Sequence, residues 1–473
     1  MNQYPIYVGG IFVETNKKIE IVNSYTREHL ATTFLASKDE LDNAIIAAIN
    51  AKEEMKLLPS YKRYDILMKI AQALTIDKQR LAEVLALEAC KPIRYALAEV
   101  DRAIQTFIIA AEESKRLPSE YISIDWTPAG KDKEGIVRYF PIGLIAGIAP
   151  FNFPMNLAVH KIAPAIASGN CIIMKPSRST PLSTLELAKI IDKTELPKGA
   201  FSVLPMDRQA GQQLVTDERI NMLSFTGSAD VGWKMKSEAG KKKVVLELGG
   251  NAGVIVAPTA DMELAIQKCI SGAFSYSGQV CIHTQRIYVH DSIFVPFMEK
   301  FCNATSRLKI GDVLNSETDI SAMIDEENAM RVETWIDEAV HQGARIVCGG
   351  KRHDAVVEPT VLTHTQNTMK VCSKEIFGPI VCIEPYHNYT EAVNTINDSD
   401  FGLQAGVFTD SLKEMNYAFD NIDTGGVLIN EVPTFRVDHT PYGGIKNSGF
   451  GREGVKYAVR DMIESKILVK PIR

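Results

Sequence analysis

The fold of this chain is decided by residues 144–175, LIAGIAPFNFPMNLAVHKIAPAIASGNCIIMK. Short apolar runs at residues 144–148 and 171–175 predict buried strands, and residues 156–167 between them predict a helix. Prolines and polar side chains interrupt the stretch too often for a membrane span. A strand, a helix and a second strand in this order are typical of a parallel sheet with helices packed on its faces.

The same alternation continues along the chain and predicts an α/β fold. A second alternating unit begins at residue 253 and runs to about residue 430. The further elements predicted around the opening stretch are strands at residues 200–204, 222–226 and 244–246 and helices at residues 181–193, 209–216 and 229–239.

The segments outside these units differ in character. Residues 38–116 carry apolar residues at helical spacing, so a helical region is expected there. Residues 117–140 hold two β-rich runs around a polar turn at residues 128–134, which is the pattern of a β-hairpin. Residues 465–469 predict a final strand. Because an isolated hairpin leaves open edges, we expect a partner to cover it.

Composition narrows the classes of function. The 473 residues are too many for one core, so two or three domains are expected. A net charge of −6 provides no basic excess to meet phosphates, which argues against a nucleic-acid or membrane-surface partner. The eight cysteines contain no C-x-x-C pair, so no metal site is predicted. Unpaired cysteines, and first residues without a signal-peptide pattern, predict a cytoplasmic protein.

Two residues suggest covalent chemistry. Cys281 ends the run Ser277-Gly278-Gln279-Val280-Cys281, and Glu247 lies in Leu246-Glu247-Leu248-Gly249-Gly250. A thiol can attack an electrophilic carbon, and a carboxylate can then activate water. Taken alone, a cysteine such as Cys281 is more often a small core residue, and Glu247 could equally be a capped turn carboxylate.

Three other motifs suggest a bound dinucleotide and an oxyanion site. Phe225-Thr226-Gly227-Ser228 follows a strand and opens a helix, where backbone N–H groups can meet a phosphate. Lys175 ends a strand, with Arg178 just beyond it, at the sheet edge where ligands bind. The Asn152 amide, within Pro150-Phe151-Asn152-Phe153-Pro154, suits an oxyanion donor. A plain tight turn, a solvated lysine and an amide bonded to its own loop are the respective alternatives.

The ordered set of these motifs, with residues 375–379, Pro441-Tyr442-Gly443-Gly444 and Ser448-Gly449, resembles the aldehyde dehydrogenase superfamily over essentially the whole chain. The branch it resembles is that of the lactaldehyde dehydrogenases. The resemblance implies an α/β fold with three parts: a Rossmann-like cofactor domain, an α/β catalytic domain and a β oligomerisation hairpin. The implied boundaries are residues 1–117 and 140–248 for the dinucleotide-binding domain, 249–440 for the catalytic domain, and 118–139 and 460–473 for the oligomerisation segment.

The resemblance also implies a role for each motif. Cys281 would add to an aldehyde to give a thiohemiacetal, loss of hydride to NAD(P) would leave a thioester, and Glu247 would activate water to release the acid. Asn152 and the backbone N–H of Cys281 would hold the oxyanion. Glu375 would bind the nicotinamide ribose, with Phe377 packing nearby, and Lys175 and Ser228 would hold the adenosine ribose and pyrophosphate side. The implied cofactor-binding residues are Ile148, Ala149, Pro150, Phe151, Lys175, Ser177, Arg178, Gly211, Phe225, Gly227, Ser228, Leu248, Gly249, Glu375 and Phe377.

Departures from the family pattern bear on specificity. Arg178 stands where NAD-preferring relatives carry a glutamate, and an arginine attracts a 2′-phosphate, so NADP is favoured over NAD. His160, Arg436 and His439 suggest a cationic substrate tunnel for a small hydroxy- or anionic aldehyde such as lactaldehyde, succinate semialdehyde or glyceraldehyde 3-phosphate. Contacts between domains or subunits are the alternative for these three residues.

The resemblance further implies a homodimer or homotetramer, in which the hairpin and the terminal strand pair between subunits. Two other functions stay open. A coenzyme A-acylating dehydrogenase would use the same thioester, but Glu247 favours hydrolysis. A non-catalytic structural protein on this fold is disfavoured by the intact Cys281, Glu247 and Asn152.

Overall fold

The computed structural model of the protein describes residues 3–472. Met1, Asn2 and Arg473 fall within predicted domain segments but lie outside the described residues. The chain forms two large sheets, each with a parallel centre, and several small sheets. In the described part of the chain, every helix is too short or too polar to cross a membrane.

The first large sheet has eight strands and contains the opening stretch. Leu144–Ile148 pairs in parallel with Cys171–Lys175, and the helix between them spans Asn156–Ala167, so the βαβ prediction is confirmed. Every residue of that helix is buried. In spatial order the strands are Gly449–Phe450, Lys243–Glu247, Met222–Thr226, Leu144–Ile148, Cys171–Lys175, Phe201–Val203, Ile6–Val8 and Ile11–Val13.

Nine helices accompany this sheet in the described residues. The first begins at Lys38 because Ser37 caps it: the Ser37 side chain accepts from the Asp39 N–H, and the Glu40 carboxylate accepts from the Ser37 N–H. Their bounds are Lys38–Leu57, Ser60–Ile76, Lys78–Ala89, Ile93–Ser114, Asn156–Ala167, Leu182–Ile191, Arg208–Thr216, Ala229–Glu238 and Val455–Asp461.

The second large sheet has seven strands and its own apolar core. Its strands, in spatial order, are Arg345–Cys348, Thr360–Thr363, Ile380–Tyr386, Thr284–His290, Ala252–Val256, Gln404–Phe408 and Gly426–Ile429. Its helices are Met262–Phe274, Asp291–Thr305, Glu326–His341, Lys370–Ser373, Tyr389–Asn397 and Leu412–Asn421. Arg345–Cys348 is antiparallel to its neighbour, and the other neighbouring pairs are parallel.

Small sheets complete the fold. The N-terminal strands Gln3–Tyr4, Lys18–Val22 and His29–Phe34 form one that the sequence patterns did not predict. Two-strand pairs join Arg352–His353 to Val356–Val357 and Phe401–Gly402 to Ile445–Lys446. Short helical turns span Pro128–Gly130 and Ser275–Gly278.

The predicted hairpin forms, and its sheet has a third strand. The hairpin strands are Ser119–Ser123 and Lys133–Pro141, and the terminal strand Ile463–Pro471 pairs with the second of them inside the same chain. The nine residues of Ile463–Pro471 pair along the whole of Lys133–Pro141. Pairing of this sheet between subunits stays a prediction. The two outer strands still present open edges.

The chain after residue 440 returns to the first sheet. Gly449–Phe450 pairs antiparallel with Lys243–Glu247, and Gly449 lies opposite Glu247. Residues 441–459, which fell outside the predicted domain segments, thus pack beside a predicted catalytic carboxylate. This return brings side chains from the last part of the chain to the carboxyl ends of the first sheet's strands.

Candidate active site

The three predicted catalytic residues come from separate segments that meet at one edge of the first sheet. Asn152 lies in the loop after Leu144–Ile148, and Glu247 is the last residue of Lys243–Glu247. Cys281 follows the helical turn Ser275–Gly278. Loops at the carboxyl ends of parallel strands are the usual place for a ligand site in such sheets.

A strained turn presents Cys281. Tyr276 and Ser277 both have φ of 52°, a left-handed conformation that is uncommon for non-glycine residues. Gly278 has φ of +67°, and a Cβ there would collide with the Gly378 carbonyl. The turn therefore packs tightly against the loop that precedes the strand Ile380–Tyr386. This contact fixes the direction in which the chain continues to Cys281.

The Cys281 thiol is protonated in this environment. Its Sγ lies 3.4 Å from the Tyr442 Oη. Burial raises the pKa of Cys281 to about 11, although the Tyr442 hydrogen bond lowers it. The attacking species is a thiolate, so a base must remove the proton before or during attack.

Asn152 is held on the segment that carries Cys281. The Asn152 Nδ2 donates to the Gln279 carbonyl at 2.9 Å, and the residue is 3% exposed. An amide group has two N–H donors, so this bond leaves one for another acceptor. The arrangement brings an unused donor to the vicinity of Cys281.

Glu247 is a buried carboxyl without a partner. The residue is 3% exposed, and within residues 3–472 neither of its side-chain oxygens has a hydrogen bond. Burial raises the pKa of Glu247 well above its ordinary value, and the nearby negative charge of Glu453 raises it further. Burial and Glu453 therefore both favour the protonated form of Glu247, and no hydrogen bond within residues 3–472 holds its side chain in place.

Glu453 was missed by the sequence analysis. Its carboxylate accepts from Lys161 at 3.0 Å and from Arg436 at 3.1 Å. Burial opposes ionisation, yet Lys161 and Arg436 hold the pKa of Glu453 at about 2. The Lys161 Nζ also donates to the Thr226 Oγ1 at 2.8 Å, which ties the pair to the first sheet. A buried glutamate in a glycine-rich turn carries no sequence signal that separates it from a surface residue.

The predicted nicotinamide-side residues lie together. The Glu375 Oε1 accepts from the Gly250 N–H at 3.0 Å, and a Cβ at Gly249 would collide with the Glu375 carboxylate. The rings of Phe151 and Phe377 pack edge to face with centroids 5.8 Å apart. Burial raises the pKa of Glu375 to about 7. Ile148, Ala149, Pro150 and Leu248 adjoin these side chains in sequence.

The predicted adenosine-side residues form a second group. Lys175 lies beside the helix Arg208–Thr216, since a Cβ at Gly211 would be 3.0 Å from the Lys175 Cε. Burial lowers the pKa of Lys175, and Arg178 lowers it further. Ser177 is half-buried and Arg178 is exposed. At the end of Met222–Thr226, two strands away in the same sheet, a Cβ at Gly227 would collide with the Phe225 ring, and Ser228 is the N-cap of the next helix.

A cavity of about 280 Å³ reaches Cys281. Arg436 lines it, with its guanidinium 3.6 Å from the centre of the Tyr442 ring. Arg102 also lines it. The full lining is Tyr95, Ala98, Glu99, Arg102, Phe153, Leu157, Ser271, Ser275, Tyr276, Val280, Cys281, Ile282, Thr434, Arg436 and Tyr442. A larger open groove along the helix Ser60–Ile76, about 500 Å³, holds none of the predicted site residues.

The other two predicted substrate residues lie elsewhere. His160 is buried behind Arg436 and contacts Asp438 at 2.9 Å. His439 is exposed and outside the cavity lining. Burial lowers the pKa of His160, and Arg436 lowers it further, so this ring is neutral at pH 7. Of the three, only Arg436 contributes directly to the cavity wall.

Asp438, also missed by the sequence analysis, connects the cavity's two arginines. It accepts from Arg102 at 2.7 Å and lies 3.6 Å from the Arg436 Nε. Burial opposes ionisation, yet His160 and Arg102 hold the pKa of Asp438 low. Around the cavity the cations Arg102, Arg436 and Lys161 thus face the carboxylates Asp438 and Glu453.

Comparisons with known proteins agree on one family. Residues 12–468 match the sequence model of the aldehyde dehydrogenase family. The 3-sulfolactaldehyde dehydrogenase of Priestia megaterium is 42% identical over 470 residues, which cover 99% of this chain and 98% of that protein. Lactaldehyde dehydrogenases of Methanococcus species match over a similar span.

Solved structures agree with the sequence matches. Aldehyde dehydrogenase 21 from Physcomitrella patens, in complex with the reaction product succinate, has a TM-score of 0.98 at 42% identity and covers 100% of this chain and 98% of its own. Glyceraldehyde-3-phosphate dehydrogenase from Methanocaldococcus jannaschii, complexed with NADP, has a TM-score of 0.93 at 39% identity and covers 97% and 100%. Other solved relatives are complexed with NADP or NAD+. The predicted resemblance, branch and fold class are confirmed.

Proposed function

The chain belongs to the aldehyde dehydrogenase family, and on that premise we propose that Cys281, Asn152 and Glu247 carry its NAD(P)-dependent oxidation of an aldehyde to an acid. One observation carries the proposal. A half-buried thiol at a cavity wall, an amide with a spare N–H and a buried carboxyl with no hydrogen bond among the described residues converge from three segments of the chain. That set supplies a nucleophile, an oxyanion donor and a base.

In the first step the Cys281 sulfur bonds to the aldehyde carbon. The carbonyl oxygen takes up the electron pair, and the free Nδ2–H of Asn152 and the backbone N–H of Cys281 donate to it. The Cys281 thiol gives up its proton to solvent in the cavity before its sulfur attacks, since the thiolate is the nucleophile. The product of this step is a thiohemiacetal on Cys281.

The residues present fit a dinucleotide. Glycine at residue 249 leaves room beside the Glu375 carboxylate, which would hold the nicotinamide ribose, and Lys175 with Ser228 would hold the adenosine end. Bound NAD(P) supplies a hydride acceptor, and the protein is left with a thioester on Cys281. We propose a preference for NADP, because the exposed Arg178 beside Lys175 would pair with a 2′-phosphate.

In the last step Glu247 accepts a proton from water as that water attacks the thioester carbon. The C–S bond then breaks, the acid leaves and Cys281 carries the electron pair away. Two properties support this role. The raised pKa of Glu247 makes it a stronger base than an ordinary carboxylate, and its side-chain oxygens make no hydrogen bond within residues 3–472, so it is free to turn towards the sulfur.

We propose that the substrate is a small aldehyde with an anionic group. Arg102 and Arg436 line the cavity, and both lie within 4 Å of the same carboxylate, Asp438. A sulfolactaldehyde dehydrogenase, a succinate complex and a glyceraldehyde-3-phosphate dehydrogenase are among the relatives, and each name or ligand includes an anionic group. Succinate semialdehyde, glyceraldehyde 3-phosphate and sulfolactaldehyde are thus the first compounds to try, with lactaldehyde as the uncharged hydroxyaldehyde.

The assembly we propose is a homodimer or homotetramer built on the open edges of the hairpin sheet. Tyr121 on one outer strand and Ile467, Leu468 and Val469 on the other are apolar and exposed. Exposed apolar side chains on unpaired strand edges favour pairing with a second copy.

An aldehyde panel with NAD and NADP, with and without coenzyme A, tests the proposal. We expect acid release without coenzyme A, higher kcat/KM for anionic aldehydes than for propionaldehyde, and no turnover by Cys281→Ala. Reduction of cofactor that requires coenzyme A would instead favour the acylating alternative.

The variant Arg102→Gln tests the substrate class. KM for succinate semialdehyde should rise about tenfold, the size of a lost charged hydrogen bond, while KM for propionaldehyde stays unchanged. Arg116→Gln is the matched control, because Arg116 is exposed, pairs with Glu112 and Glu113 one turn away and lies outside the cavity lining. Equal effects on both aldehydes would sink the anionic-substrate proposal.

A further inference from the structure

Lys91 and Glu99 form an ion pair whose two side chains are 0% exposed. Removing two charges from water costs several kcal/mol each, so a buried pair persists only when it gains further hydrogen bonds. The pair lies next to the proposed catalytic residues, and none of the steps above uses it. Its contacts indicate what it does there.

Lys91 contacts the loop that carries the oxyanion donor. Its Nζ donates to the Asn152 carbonyl at 2.6 Å. It also lies over the Phe153 ring at 3.8 Å, one residue further along the same loop. A charged donor on a backbone carbonyl makes a stronger bond than a neutral one, and the aromatic face adds cation–π attraction. These two contacts with Lys91 hold the backbone of Asn152 in place.

Glu99 holds the other end of that loop. Its Oε1 accepts from the Met155 and Asn156 N–H groups, both at 3.1 Å. These groups begin the helix Asn156–Ala167, where the helix dipole favours a negative charge. The loop is therefore held on both sides of Asn152 by one ion pair.

The same lysine contacts the segment that carries the nucleophile. Lys91 lies over the Tyr276 ring at 4.3 Å, and the Tyr276 Oη donates to the Ala89 carbonyl at 2.9 Å. Tyr276 opens the left-handed turn that leads to Cys281. Lys91 thus lies between the two loops whose separation decides where the amide meets the sulfur.

We propose that Lys91 and Glu99 are positioning residues that set the placement of the Asn152 amide relative to Cys281. The inference rests on the proposed roles of Asn152 and Cys281. It assigns the pair no contact with the reacting atoms. A displacement of about 1 Å in such a donor costs about a hundredfold in rate.

A double-mutant cycle tests the proposal. The neutral pair Lys91→Met with Glu99→Gln is compared with Asn152→Ala and with the triple variant, using succinate semialdehyde and NADP in single-turnover measurements of reduced-cofactor formation. Asn152→Ala should slow this step about a hundredfold or more. The neutral pair should slow it up to about a hundredfold in the native background and leave it unchanged in the Asn152→Ala background.

Two readouts separate positioning from general damage. NADP binding and the rate of Cys281 alkylation by iodoacetamide should stay native in the neutral pair, because neither needs the Asn152 amide. If the effects of the pair and of Asn152→Ala multiply, or if alkylation falls in step with turnover, the positioning role is wrong.

Failure of the underlying assignment looks different. Native rates for Asn152→Ala would remove the oxyanion role itself, and with it this inference. If the neutral pair does not fold, the cycle is run with Glu99→Gln alone, which keeps an acceptor for the Met155 and Asn156 N–H groups. The same non-additivity is then required.

Discussion

Glu99 and Glu247 are buried carboxyl groups in adjoining parts of the site, but their surroundings are opposite. Glu99 is paired with Lys91 and accepts two backbone N–H groups. Glu247 has no hydrogen bond in the described part of the chain and lies near the negative Glu453. The molecule fixes the carboxylate that supports its oxyanion loop and leaves the proposed base free. We infer that Glu99 maintains the geometry of the oxyanion loop and that Glu247 transfers a proton.

The largest expected effect is the loss of turnover when Glu247 is replaced by glutamine. Glu247→Gln keeps the size of the side chain but removes the base, so kcat should fall about a thousandfold, within the range for loss of general base catalysis. The first turnover should persist as a burst of reduced cofactor, because acylation of Cys281 precedes the step that is lost. Rapid-mixing absorbance measures both phases.

Glu99→Gln is the matched control for that measurement, since it makes the same chemical change in the paired carboxylate. It should slow the burst and leave the ratio of burst to steady-state rate near native. An unchanged steady-state rate in Glu247→Gln would show that another group activates water.

The same contrast explains what the sequence could and could not predict. The helix Asn156–Ala167 and its flanking strands were predicted because apolar periodicity is strong in buried parallel units. Ile6–Val8 and Ile11–Val13 were missed because three-residue strands carry too little periodicity.

Catalytic candidates were found where chemistry gives a residue an unusual setting in sequence, as for Cys281 after small and polar residues and Glu247 before two glycines. Lys91 and Glu99 were missed because charges in and beside a helix normally face solvent, and only the tertiary structure buries them. Asp438 and Glu453 were missed for the same reason, since burial and partners are not written in local spacing.

The free energy of unfolding should also respond differently to substitutions around Glu99 and at Glu247. Lys91→Met leaves the Glu99 carboxylate buried without its partner, and we expect a loss of about 3–5 kcal/mol in the free energy of unfolding. Adding Glu99→Gln to Lys91→Met should recover part of that loss, because the unpaired charge is gone. Denaturant unfolding measures these differences.

Glu247→Gln should behave in the opposite way. The folded-state pKa of Glu247 is raised above its ordinary value of 4.5, so its contribution to stability is complete below that value and is lost as pH rises through the folded pKa. At pH 8 the glutamine variant should therefore be as stable as the native protein or more so. A marked loss would mean that the carboxyl makes stabilising contacts after all.

The smallest expected effect is the pH dependence of hydrolysis. It tests directly whether Glu247, unlike Glu99, takes part in proton transfer. Only the ionised form of Glu247 accepts a proton, so the deacylation rate should rise about tenfold per pH unit below the pKa of Glu247 and level off above it. The pH dependence of the acylation rate is set by the Cys281 thiol instead, because burial raises the pKa of Cys281 to about 11. The steady-state phase after the burst must therefore be followed separately from the burst.

Glu453 supplies the control for that profile. Its negative charge raises the pKa of Glu247, so Glu453→Gln should move the rising limb to lower pH, and the freed charges of Lys161 and Arg436 act in the same direction. In Glu247→Gln the limb should vanish. If the rising limb stays at the same pH in Glu453→Gln, or persists in Glu247→Gln, it reports the titration of a different group. The proposal that ionisation of Glu247 controls the rate of hydrolysis would then be wrong.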